Sequence, residues 1–338
     1  MLTKRLERAV VRPTLSPFFY AWGCSNSKHY NINNTIVVAS SGRGGSTWLT
    51  EIISCLPGCP VLLEPLNRYR NPDCRKYGFT SATYMPADEE DALKRAYLEQ
   101  VFTGSNLSAG LASWAHFRPD QYLAFKGFLV KFIKANMLLH WALRQFPLRA
   151  IFMVRHPCAV VSSQLRSPFW NYAHTRDWAN SIDKVIPQKL ALDYPHLLEV
   201  YRQVKTKEQG LAFIWAMQNY VPLSQPQPHP WCLTTYERLV VEGEREVDRL
   251  FQFLGEPVPE EAYKRLEVPS LTTQAGSNVV KGTNRLSGWK EKLTAAQVDM
   301  ILDVVHQVGI DFYTDAVEPD YQKLLTPTRS QGAGSSKP

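Results

Sequence analysis

Thr35-Ile-Val-Val-Ala-Ser-Ser-Gly-Arg-Gly-Gly-Ser-Thr-Trp48 is the stretch from which the rest of the chain can be read. Thr35 to Ala39 is a β-branched run without polar alternation, which predicts a strand buried on both faces, as in a parallel sheet. From Ser46 the apolar residues Trp48, Leu49, Ile52, Ile53 and Leu56 recur on one helical face, and Pro57-Gly58 stops the helix. A strand, a glycine-rich loop and a helix start together let backbone N–H groups close around an anion. Gly42, Gly44 and Gly45 permit close approach, Ser46 and Thr47 add hydroxyl donors, and Arg43 adds a planar cation able to clamp two oxygens. In the nucleotide-hydrolase pattern G-x-x-x-x-G-K-[ST] a lysine precedes the hydroxyl residue; here Gly45 stands there. This argues for an anion held without a dedicated metal. A glycine turn with no ligand is the plainer alternative for this segment alone.

Working outward, Leu138, Trp141, Ala142 and Phe146 mark a helix ended before Pro147, and Ala150 to Val154 reads as the next strand. Arg155-His156-Pro157 turns the chain into a helix near Ala159, which carries Ser163. Ligands of open α/β sheets bind at the carboxyl ends of strands, so Arg155 is placed to grip a second anion. A strand is expected at Trp231–Tyr236, with helices near 88–102, 207–220, 247–254 and from Thr294 to Gly309. A Pro-rich turn fills 222–230. Residues 58–125 are otherwise less regular, and 166–200 reads as a long irregular segment of the kind that serves as a lid or binding loop. Strands alternating with helices imply an α/β fold with a central parallel sheet flanked by helices. The expected organisation is an N-terminal arm (1–33), one domain (34–318) and a flexible tail (319–338).

The 338 residues are 44% hydrophobic with a formal net charge of +7, enough for a sizeable core. The modest basic excess suits a small anionic ligand, nucleic acid or an acidic membrane surface equally well, and no run of Lys or Arg is dense enough to favour nucleic acid. Six cysteines form no CxxC pair and no Cys/His cluster with metal spacing, so they are read as reduced, in a cytoplasmic setting. No stretch reaches the ~18 apolar residues of a membrane span. The opening Met1–Arg12 is either a basic amphipathic helix making peripheral contact with a membrane surface or a solvated arm, the latter being the simpler reading.

The two loop segments together resemble the superfamily of sulfotransferases dependent on 3′-phosphoadenosine 5′-phosphosulfate (PAPS). That family's motif K/R-x-G-T/S-T/S-W/L corresponds to Arg43-Gly-Gly-Ser-Thr-Trp48, and its arginine followed eight residues later by serine to Arg155 and Ser163. Tyr236-Glu237 with Phe253-Leu-Gly255 is similar to a further family stretch, as is Arg285-Leu-Ser-Gly-Trp-Lys290. The resemblance covers roughly residues 34–312. It implies a P-loop-like sheet and PAPS as co-substrate without a metal. Gly42 to Trp48 would hold the phosphosulfate, and Arg155 and Ser163 the 3′-phosphate, with Lys281 and Arg285 as further candidates. Tyr236 would lie near the adenine. Trp48 would stack on the adenine or else open the core face of its helix.

Departures from the family pattern matter too. Arg43 in place of lysine suits the carbohydrate-type branch. His156 stands where Asp or Asn is frequent. The hormone-type branch's catalytic Lys-x-His after the second strand is not evident here, and the nearest text, Phe125-Lys126-Gly127, makes Lys126 the candidate for steadying the transferring sulfuryl group. Leu62-Leu-Glu-Pro-Leu66 resembles the Glu-Pro-Leu of carbohydrate-type members, which makes Glu64 the candidate general base. A carboxyl in an apolar run is expected to have a raised pKa. The plainer alternative is a Glu that caps a turn or pairs with Arg43 or Arg68. The aromatics Trp114, Phe117, Phe169, Trp170, Tyr172 and Trp178 are either an acceptor pocket or ordinary core. The expected acceptor is a carbohydrate, a glycolipid or a small natural product. The rivals are a P-loop nucleotide kinase or hydrolase and a non-catalytic nucleotide-binding protein.

Overall fold

The structure is a computed structural model that describes residues 12–80, 82–108, 111–112, 116–271, 273 and 284–325. The basic N-terminal stretch, Trp114, Lys281 and the tail from Thr326 lie outside the described residues. The chain divides into two compact units. One holds the chain up to Arg155 and again Pro230–Gly288; the other holds His156–His229 and the chain from Trp289.

The first unit is built on five parallel strands: β1 (Ile36–Ser40), β2 (Val61–Leu63), β3 (Leu129–Ile133), β4 (Arg149–Val154) and β5 (Cys232–Thr235). Their order is β2-β3-β1-β4-β5. Ile36 pairs with both Leu129 and Arg149, so β1 is central. The expected α/β class with a parallel central sheet is therefore what forms. Helix α1 (Arg12–Ser27) precedes the sheet, anchored by buried Phe19 and by Trp22, which meets Tyr122 and Phe125 edge-on. The sequence gives little periodicity there because aromatic contacts, not a regular stripe, hold the helix.

Both faces of the sheet are covered, which explains the unbroken apolar strands. On one face α2 (Ser46–Ile53) packs Trp48, Leu49, Ile52 and Ile53 onto Ile36, Val38 and Leu129. On the other, Phe102 of α3 (Ala92–Thr103) meets Phe132 at 5.8 Å, and also Phe146, which follows α4 (Leu139–Gln145). Each such buried side chain contributes roughly 1.5–3 kcal/mol. The helix expected near 88–102 starts at Ala92, where Asp91 is its cap and accepts from the Lys94 N–H.

The second unit is helical among its described residues. Its longest members are α5 (Pro157–Leu165), α6 (Lys207–Leu223) and, after α7 (Tyr236–Val241) and α8 (Glu244–Leu254) of the first unit, α9 (Ala295–Val308). Capping boxes at Thr206/Gln209 and Thr294/Gln297 start α6 and α9. Helix α6 runs through Pro222 to Leu223, so the turn expected over 222–230 begins at Ser224. Residues 166–200 are not one long loop. They form short helices, including Gln188–Asp193 and His196–Tyr201, which bury Leu190, Leu197 and Tyr201. Pro187 and Pro195 cut the helical pattern into pieces too short to read as a period. No described helix is long and apolar enough to cross a membrane.

Candidate functional site

Strand order fixes where a ligand can bind. After β1 the chain builds β2 and β3 on one side of it, then crosses to build β4 and β5 on the other. The carboxyl edge of β1 is therefore the topological switch point of the sheet. Along that edge stand Glu64 after β2, Lys134 after β3, the glycine loop after β1, Arg155 after β4 and Tyr236 after β5. Adjacent strands are about 4.8 Å apart, so Glu64 and Tyr236 mark the two ends of an edge on the order of 20 Å long.

Within the loop the Gly44 N–H donates to the Ser41 carbonyl at 2.9 Å. Gly45 caps α2 at φ 97°, a left-handed conformation, and supplies no side-chain cap. A Cβ on Gly44 would lie 2.3 Å from the Ser40 Oγ, and one on Gly45 would lie 2.6 Å from the Tyr236 ring. Both positions thus require glycine. The first turn of α2 contains no acidic residue, and its amides have no intrahelical acceptor. The buried Ser40 Oγ has no hydrogen-bond partner among the described residues. These features fit an oxyanion.

Charged residues in the left-handed region cluster here. Arg43 (φ 74°), Glu64 (φ 48°) and Lys134 (φ 68°) each follow one of three adjacent strands. Left-handed conformations cost a non-glycine residue on the order of 1–3 kcal/mol and collect at functional sites.

Lys131, in the middle of β3, joins the loop to Glu64. Its Nζ donates to the Thr47 Oγ1 at 2.7 Å and lies 3.3 Å from the Glu64 Oε1. The other Glu64 oxygen accepts from the Asn67 amide at 2.7 Å. Burial would raise the Glu64 pKa, but Lys131, Asn67 and Arg70 outweigh it and hold the carboxyl below its ordinary value. The expected raised pKa is thereby corrected: a cation from the neighbouring strand decides it, and the suggested pairing with Arg43 or Arg68 gives way to Lys131. Burial in turn pulls the Lys131 ammonium down, and Glu64 restores only part of this.

At the other end of the edge, the Arg155 guanidinium lies 3.9 Å from the centre of the Tyr236 ring and donates to the Arg43 carbonyl at 3.2 Å. Tyr236 is buried and its ring lies 5.4 Å from that of Trp48. The Trp48 indole N–H donates to the Arg265 carbonyl at 3.1 Å, while the ring also packs in the core. Arg285 lies over Trp48 at 6.0 Å and spends two donors on the carbonyls of Leu266 and Glu267.

The first unit thus brings together Gly42 to Trp48, Glu64, Arg155, Tyr236 and Arg285. Ser163 lies on α5 of the second unit. Lys126 does not join the group. It is exposed and precedes β3, at the amino edge of the sheet, where its N–H bonds to the Gly58 carbonyl. In its place Lys131 reaches the loop from inside the strand. Phe128-Leu-Val-Lys-Phe-Ile133, opened by Gly127, carried the signal for this strand, but a charged residue within it breaks the apolar run. Of the aromatics, Phe117 packs with Phe19 and Tyr122, and Trp178 is buried against Gly210. Phe169 is exposed.

No known family model and no curated relative matches the chain. Solved structures similar to it include a sulfotransferase domain from the curacin biosynthetic pathway, at 18% identity and a TM-score of 0.43 over 82% of this chain and 97% of that one. Another is a sulfotransferase domain from the Synechococcus PCC 7002 olefin synthase, at 17% identity and a TM-score of 0.41 over 82% and 94% of the two chains. A third is mouse sulfotransferase SULT7A1 complexed with PAP (3′-phosphoadenosine 5′-phosphate), at 12% identity and a TM-score of 0.39 over 85% and 88%.

Proposed function

We propose that this chain is a sulfotransferase that moves a sulfuryl group from PAPS to a hydroxyl of a carbohydrate, glycolipid or small natural product. One observation carries the reading. Lys131 touches both the Thr47 hydroxyl of an open glycine cradle and the Glu64 carboxylate, so an anion site and a proton acceptor share one buried cation. The lysine missing from the loop is supplied from β3.

The donor contributes an activated sulfuryl group bonded to a phosphate oxygen. The loop from Gly42 to Thr47, with the amides at the start of α2 and with Arg43, would hold the phosphosulfate, and Arg155 would hold the 3′-phosphate. Ser163 and Lys281 share that second role on the strength of the sequence pattern alone. Trp48 and Tyr236 form the aromatic wall suited to adenine. Glu64 takes the hydroxyl proton as the acceptor oxygen bonds to sulfur and the bond from sulfur to the bridging phosphate oxygen breaks. The cradle amides, Arg43, Thr47 and Lys131 take up the charge that builds on that leaving oxygen, as preorganised donors do in phosphoryl transfer. The carbohydrate preference rests on Arg43 and the Glu-Pro-Leu stretch.

The test is calorimetric titration of PAP into the wild type and Arg155→Ala, with ATP as control. Micromolar binding of PAP, weakened at least ~10-fold in the variant and not matched by ATP, is the expected result. A preference for ATP would return the chain to the kinase reading.

A further inference from the structure

Cations outnumber carboxylates at the β2–β3 end of the carboxyl edge, beyond the cradle. Glu64 opens two successive tight turns: the Asn67 N–H donates to the Glu64 carbonyl and the Asn71 N–H to the Asn67 carbonyl, at 2.9 and 2.7 Å. The turns are pinned from below, where Tyr97 donates to the Pro65 carbonyl at 2.7 Å and the buried Asn71 amide donates to the same oxygen at 3.1 Å. Arg68 and Arg70 are therefore held on a fixed backbone beside Glu64. Lys134 reaches the same place from the end of the next strand.

Four cations thus stand around one carboxylate. Lys131 feels Glu64 and Arg70, and Lys134 feels Glu64 and Arg68. Both oxygens of Glu64 are already engaged, by Lys131 and Asn67. Asp73, the next acid along the chain, is paired with Lys76 at 2.7 Å. Lys134 is half-buried and has no ion-pair partner among the described residues, and the buried Nε of Arg68 has no hydrogen-bond partner among them. Half-buried cations that share a single, already engaged carboxylate are only partly compensated, so an incoming anion would relieve this arrangement. The proposed donor lies over the ends of β1, β4 and β5, one to two strand spacings away, and leaves these charges uncompensated.

We propose that the acceptor carries its own anionic group, a carboxylate or a sulfate or phosphate ester, close to the hydroxyl that Glu64 deprotonates, and that Arg68 and Lys134 bind it. This rests on the sulfuryl-transfer reading and narrows its acceptor. Arg70 adds to the field, and Lys131 stays with the cradle.

The test uses the full chain saturated with PAP, whose binding is read first. Failure of PAP to bind would refute the donor reading, and this inference with it. Matched probes are then titrated: a neutral glucan tetrasaccharide, its glucuronate-containing counterpart and a singly sulfated counterpart, together with 4-methylphenol and 4-hydroxybenzoate. Anionic members are expected to bind at least ~10-fold tighter than neutral ones, with the preference shrinking as salt is raised. The two charged sugars distinguish a carboxylate from an ester anion. Arg68→Gln and Lys134→Asn (asparagine tolerates the left-handed backbone) should each remove most of the preference and leave PAP affinity intact. Equal binding of neutral and charged members, or binding of neither to PAP-loaded protein, overturns the proposal. If a variant fails to fold, the salt dependence of the wild type decides.

Discussion

Lys131 gives Glu64 its chemical character. The carboxylate is buried, and its low pKa depends first on the ammonium 3.3 Å away. In Lys131→Met burial remains and the main opposing charge is gone, so the Glu64 pKa rises. A base works above its pKa, so the acid limb of the kcat/KM profile should move to higher pH. The rate at neutral pH should fall on the order of 10²-fold with loss of the charge on the leaving oxygen. An unmoved acid limb would remove Glu64 from the role of base. Gly45 makes a separate prediction. Gly45→Ala adds a Cβ at 2.6 Å from Tyr236 in a left-handed position, so PAP affinity in calorimetry should drop at least ~10-fold with the far-ultraviolet spectrum unchanged. The strand, the glycine loop and the helix start were legible in the sequence because residue type and spacing announce an anion cradle, whereas Glu64 became a candidate only through the resemblance of Leu62–Leu66 to a family stretch. The low pKa of Glu64 was not legible, since it comes from a residue of another strand.

At the scale of elements, the strands that failed to announce themselves are β2 and β3. Three residues, Val61 to Leu63, are too few to show a pattern, and Lys131 interrupts the apolar run of β3. A buried lysine is stable there only because the strand order sets Thr47 and Glu64 around it, and strand order is a tertiary fact. Helix starts were more legible because capping chemistry is local. His156 shows the limit of that. It stands where the family pattern has Asp or Asn, and it caps α5: its Nδ1 accepts the Cys158 N–H at 3.2 Å, while Nε2 lies 2.9 Å from the Thr314 carbonyl. That pairing fixes the neutral tautomer with the proton on Nε2. The ring is fully buried and stacks on Trp289 at 4.6 Å. His156→Asn keeps a capping acceptor and loses the stack; His156→Ala loses both. Urea unfolding should therefore rank wild type above Asn and Asn above Ala, the last step being about 1 kcal/mol, the usual worth of a cap. Equal stability of the two variants would mean that packing alone holds the helix start.

At the scale of the whole molecule, the net charge of +7 sets a background that favours anionic ligands of any kind, so specificity must come from placed groups. Total charge cannot tell PAP from ATP, because both are polyphosphorylated adenosines. The separation of Arg155 from the cradle can. On the proposed reading its guanidinium, held between the Tyr236 ring and the Arg43 carbonyl, meets a phosphate on the ribose that ATP lacks. A ligand that binds only the folded state stabilises it by RT ln(1 + [L]/Kd), about 2.7 kcal/mol at a hundredfold excess over Kd. For a chain of 338 residues the specific unfolding entropy converts this to a rise in Tm on the order of 4 °C. PAP at that excess should give the full rise with wild type and about half of it or less with Arg155→Ala. ATP at the same concentration should give little with either. An equal rise from ATP and PAP would mean that the cradle alone binds, that Arg155 reads no ribose phosphate, and that the general basic field rather than the strand-end geometry selects the nucleotide.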